Sequence, residues 1–153
     1  MRSILKIFPL VFATLLSCSS KPEPIVYGSD ACYFCKMGIV DKTHASQAVS
    51  SKGKQFKYDS VECMVNDIQN NHNTDMDVIL VADYLNAGEM IPAESAFYII
   101  SPGIPSPMGA NLSAVKSKAE AEKLQQEFSG DIFSWQELLN RNKTDNHSHQ
   151  GHH

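Results

Sequence analysis

The chain reads as an α+β protein made of two packed ββαβ-like modules, and three observations carry that reading. Short strand-like runs come in pairs joined by turn or loop residues, and each pair is followed by a helix with its own cap. One further strand-like run follows each helix, so the order strand, strand, helix, strand occurs twice, over about residues 43–84 and again over about 94–140.

The first module opens with Ala45 to Ser50 and Lys54 to Tyr58, joined by a turn around Ser51-Lys52-Gly53. A helix comes next. Asp59 is positioned to cap it, Glu62 three residues later completes a capping-box-like pair, and Val61, Met64, Val65 and Ile68 recur at i, i+3, i+4 and i+7. Val78-Ile79-Leu80-Val81 is the strand that closes the module, and the polar stretch Asp83 to Pro92 reads as a connection. In the second module Ala96 to Ile100 is a strand, Pro102 to Gly109 a loop, and Asn111 to Val115 the returning strand. Ser117 caps a helix over Lys118 to Phe128 with Glu120 at the third position, and Ser129-Gly130 stops it. Asp131 to Trp135 resembles a closing strand and Gln136 to Asn140 a terminal helical turn, while His44 and His72 read as surface residues.

Both ends lie outside the modules. Arg2 and Lys6 precede the apolar run Ile7 to Leu16, and Leu15-Leu16-Ser17-Cys18 has the form of a bacterial lipoprotein cleavage site. The run falls short of the about 20 apolar residues that a membrane span needs. An ordinary signal peptide with an incidental cysteine, or an uncleaved anchor, is the plainer alternative. Lipid on Cys18 after removal of residues 1–17 suits the position of the cysteine better, and residues 18–29 then form a tether, flexible through Ser19 to Pro24. This places the protein in the bacterial cell envelope, on the inner or outer membrane and facing the periplasm. At the other end, residues 143–153 contain no apolar side chain and read as an unstructured histidine-rich tail.

The formal net charge is −4, and loss of Arg2 and Lys6 with the signal makes it −6. An acidic chain without basic clusters gives no reason to expect a nucleic-acid partner. No Ser, His and Asp arrangement of nucleophilic kind and no phosphate-cradling glycine loop occurs, so the chain is not expected to be an enzyme.

Sulfur carries the chemistry. Cys32-Tyr33-Phe34-Cys35-Lys36-Met37 sets two thiols and a thioether in one short loop, a donor type that selects Cu(I) over hard cations. With Cys18 acylated, three thiols remain, so disulfides alone cannot account for them. A thioredoxin-like redox pair, a small structural disulfide and a structural zinc module are the other readings of Cys32 and Cys35. At 100° per residue Cys63 falls about 200° from Val61, off the apolar stripe of its helix, so it is either exposed or covered by another segment such as the cysteine loop. The covered case makes it a third sulfur beside Cys32 and Cys35. Met108 sits in Pro105-Ser106-Pro107-Met108-Gly109, a stiff loop on which a thioether can wait at the rim of a site. For Met37 and Met108 alike, filling a gap in the core is the plainer alternative. His147, His149, His152 and His153 can bind borderline metals as an auxiliary arm.

Taken together, the lipoprotein signal, Asp30-Ala31-Cys32-Tyr33-Phe34-Cys35-Lys36-Met37, Tyr58-Asp59-Ser60-Val61-Glu62-Cys63-Met64, Ala96-Phe97-Tyr98 and Ser106-Pro107-Met108-Gly109 resemble the NosL family over roughly Ile25 to Leu139. These are copper-binding lipoproteins that assist nitrous oxide reductase. The resemblance implies two related αβ modules and a periplasmic Cu(I) chaperone that supplies the reductase's multicopper sulfide cluster. Its partners are then nitrous oxide reductase, or another extracytoplasmic copper enzyme, and the assembly transporter of the same system. The family's cysteine and methionine fall on Cys35 and Met37, and its loop methionine on Met108. Cys32, Cys63 and Lys36, the last where glycine is common, depart from that pattern.

Overall fold

The computed structural model describes residues 20–70 and 75–148. Residues 1–17, Cys18, His72, His149, His152 and His153, on which several expectations rest, lie outside them. Among the described residues, two small antiparallel sheets and three α-helices make up the fold. Strands β1 (Ser46–Ser50) and β2 (Gln55–Tyr58) form a hairpin, helix α1 (Val61–Asn70) follows, and β3 (Met76–Ala82) returns beside β1. A fourth strand, β4 (Met90–Pro92), extends this sheet to the order β2-β1-β3-β4. After one 3₁₀ turn (Ala93–Ser95), β5 (Phe97–Ile100), β6 (Leu112–Val115), α2 (Lys118–Phe128) and β7 (Asp131–Ser134) repeat the pattern, giving the order β6-β5-β7. In both halves the first strand of the hairpin is central and pairs antiparallel with its two neighbours.

The alternation of side chains explains the layers. Ala48, Phe56, Tyr58 and Val81 turn one face of the first sheet into a core shared with Val61, Met64 and Val65 of α1. Tyr98, Leu112 and Ala114 of the second sheet reach the same core, as do Trp135 and Leu138. Ile99 and Val115 point the other way, onto Ala121 and Leu124 of α2. Helix α1 therefore lies between the two sheets, in contact with β1, β2 and β6. Ser117 and Glu120 close α2 with the full capping box that the sequence predicts.

Several elements differ from the expectation. The connection Asp83 to Pro92 contains β4, whose three residues pair with Leu80, Val81 and Ala82. Trp135 opens helix α3 (Trp135–Ser148) in place of ending β7, with Ser134 accepting from the Glu137 amide and Glu137 accepting in return. That helix runs past Asn140 into the stretch read as an unstructured tail. Residues 20–24 are not a free tether. They lie along the face of the first sheet that carries Gln47, Gln55 and Lys57, whose side chains hydrogen-bond the carbonyls of Glu23, Lys21 and Pro24. No helix among the described residues is long and apolar enough to cross a membrane.

Candidate metal centre

The cysteine loop is pinned to the open edge of β2. Ala31 and Gly38 bridge across its neck, the Cys32 amide donates to the Met37 carbonyl at 2.7 Å, and the Tyr33 amide donates to the Lys57 carbonyl at 2.7 Å. The Tyr33 ring stands edge-on to Phe56 at 4.8 Å, which fixes the loop over the end of the hairpin. Just beyond that end the chain turns through Asp59 and Ser60 into α1.

This turn corrects the predicted helix cap. Ser60, not Asp59, receives the Cys63 amide at 3.2 Å, as an N-cap side chain does. Glu62 does not close a capping box but takes a hydrogen bond from Ser106 in the second module. Asp59 is thereby released from helix capping and faces the thiols, with the Cys35 thiol donating to its Oδ1 at 3.5 Å.

Cys63 is buried, covered on the side of the helix that periodicity sets apart from the core stripe. One ligand atom from each of Cys32, Cys35, Asp59 and Cys63 lies within 4.8 Å of every other, a group that can hold a metal ion. Cys32 and Cys63 are each 1% exposed, Cys35 is half-buried, and all three are free thiols. A tetrahedral ion with ligand bonds of about 2.3 Å needs ligand atoms about 3.8 Å apart, so the four donors fit one after a contraction of about 1 Å.

The three thiols are electrically unequal. The Cys63 thiol donates to Cys32, and the backbone amides of Asp59 and Cys35 also point at the Cys32 sulfur; together they pull its pKa down to about 6 against the cost of burial. Cys63 is pushed up by giving that hydrogen bond and by burial. Burial chiefly raises Cys35, although the Met37 amide donates to its sulfur. Among the three, Cys32 is the thiol that its neighbours' hydrogen bonds make easiest to ionise.

Met37 and Met108 stand outside this cluster as exposed residues, at 57% and 41% exposure. Met37 is tied by its carbonyl to Cys32. Met108 is two residues from Ser106, which is bound to Glu62, the neighbour of Cys63 in sequence; this brings the two loops to the same end of α1. Asp59 is the residue of the cluster that sequence reasoning missed, and the only signal for it was a second cap-competent side chain beside it. His44 is 3% exposed and buried, contrary to expectation, because its ring bonds Asp41 at 2.8 Å and Ser113 of the second module at 3.1 Å. His147 lies on α3.

An α+β fold of two packed sheets with a thiol-rich pocket at a helix start defines a small protein equipped for soft-metal binding. The chain belongs to the NosL family, whose family model matches residues 25–142. Its fold is similar to the crystal structure of the copper chaperone NosL from Shewanella denitrificans, with a TM-score of 0.68 and 16% identity over 76% of this chain and 95% of that one. No curated protein matches the chain by sequence.

Proposed function

We propose that the protein is a lipid-anchored, periplasm-facing Cu(I)-binding protein that delivers copper to an extracytoplasmic enzyme, with nitrous oxide reductase as its client and the assembly transporter of that system as a second partner. One observation carries the reading: three thiols from two separate segments converge in a largely buried pocket. Thiolates select Cu(I), and the family assignment and the copper chaperone of similar fold support that choice of metal. The lipoprotein signal supports the anchor on Cys18.

The gradient of exposure suits transfer. Cys32 and Cys63 would hold the ion from the protein side, Cys35 from the more open side, and Met37 and Met108 would offer neutral thioethers at the surface. An acceptor's sulfur ligands can then replace the outer donors before the inner ones. Copper here is cargo, and no bond of a substrate is made or broken.

A thiol-disulfide oxidoreductase would also use an acidified Cys32. That sulfur is buried, however, and a nucleophile that attacks a protein disulfide must be reachable. Anaerobic Cu(I) competition titration tests the copper reading. Cys35→Ser is expected to weaken binding at least about tenfold and Met108→Leu by less; unchanged affinity in both refutes the ligand set.

A further inference from the structure

We infer that the same pocket is also a tetrahedral S3O site for a borderline divalent cation of the zinc class, with Asp59 as its fourth ligand. The inference rests on the thiol pocket of the copper reading and adds a second cargo, or competitor, to it.

The fourth donor is the first ground. Cu(I) is satisfied by soft sulfur, whereas a carboxylate is a hard donor that zinc accepts alongside thiolates. Asp59 is 3% exposed and contacts the Cys35 thiol, and Ser60 already caps α1, so the helix does not require Asp59 in this role. Charge is the second ground. Three thiolates and one carboxylate sum to −4; a monovalent ion leaves −3 among buried groups and a divalent ion leaves −2. Uncompensated buried charge is costly, so full use of the four donors favours the divalent ion. Cu(I) would leave Asp59 uncoordinated or one thiol protonated.

The loop backbone is the third ground. The amides of Asp59 and Cys35 point at the Cys32 sulfur and the Met37 amide at the Cys35 sulfur. Lys36, at φ 67°, takes the left-handed turn of the loop between Cys35 and Met37. Amides converging on sulfur form an anion-holding nest, which offsets the residual negative charge of a thiolate-rich divalent site.

Anaerobic titration with Co(II), followed by displacement with Zn(II), tests the inference on the full protein. Wild type is expected to give the intense visible bands of four-coordinate Co(II) with sulfur-to-metal charge transfer, lost on adding one equivalent of Zn(II). D59N is expected to weaken Co(II) binding at least about tenfold and Cu(I) binding by a clearly smaller factor. D59C exchanges the carboxylate for a thiolate and is expected to keep four-coordination with added charge transfer, which serves if D59N does not fold. A weak six-coordinate spectrum in wild type, equal losses of Co(II) and Cu(I) affinity in D59N, or no added charge transfer in D59C overturns the inference. Four-coordinate Co(II) in a protein that fails to bind Cu(I) instead overturns the copper reading and leaves this one standing.

Discussion

If copper binds as proposed, the protons released on binding would report the charge state of the pocket. Donation from Cys63, helped by two amides, sets the Cys32 thiol at about 6, while Cys63 and Cys35 are raised above the ordinary thiol value. At pH 7.5 a thiol of pKa about 6 is about 97% ionised, so the free pocket carries one thiolate and two thiols. A Cu(I) that takes all three sulfurs as thiolates then releases about two protons; at pH 5, where Cys32 is about 90% protonated, it releases about three. Because protons leave on binding, affinity rises with pH, by about two log units per unit between pH 7 and 8 and more steeply below pH 6. Calorimetric titration in buffers of different ionisation enthalpy counts the protons directly. About three at pH 7.5 would refute the preformed Cys32 thiolate, and fewer than about one would refute coordination by three thiolates.

Three further substitutions test the frame around the pocket. Gly130 has φ 115°, and a Cβ there would stand 2.3 Å from the Ile100 carbonyl oxygen; Gly130→Ala is expected to cost at least about 3 kcal/mol in a denaturant titration, and a loss below about 1 kcal/mol would contradict this. Ser106→Ala removes the hydroxyl that serves buried Glu62, whose other oxygen has no partner among the described residues, and is expected to cost about 1–3 kcal/mol by chemical unfolding. Ser60→Ala is expected to lose about 1 kcal/mol of stability as the N-cap of α1; an unchanged unfolding midpoint would return the capping role to another residue.

What was legible in the sequence was local. The strand pairs, the apolar stripe of α1 and the Ser117–Glu120 box depend on residues a few positions apart, and the structure has them. The two-sheet α+β architecture followed from stating that order twice. What was not legible depends on distant segments. Asp59 and Ser60 are adjacent and equally competent caps, and the choice between them is made by a cysteine loop that arrives from earlier in the chain and occupies Asp59. His44 is buried by Ser113, 69 residues away. Residues 20–24 look flexible by composition, yet polar side chains on the outer face of β1 and β2 bind their carbonyls. Strand β4 is three residues long and ends in proline, so no periodic signal announces it.

The charges around the cysteine loop show why the pocket can stay anionic until a metal arrives. Lys36 sits over the Tyr33 ring at 4.7 Å, Lys54 over Tyr33 and Phe56 at 5.0 and 4.6 Å, and Lys57 pairs with Asp30 at 2.7 Å. Each ammonium is thus held by an aromatic face or a carboxylate outside the thiol cluster. A lysine placed among the sulfurs would pair with the thiolate and compete with the ion for it. Held on rings at the rim, lysines raise the local potential without taking a ligand position, while short-range hydrogen bonds from Cys63 and the amides stabilise the one thiolate. A metal ion bound by these thiols would have only to displace protons, not a cation.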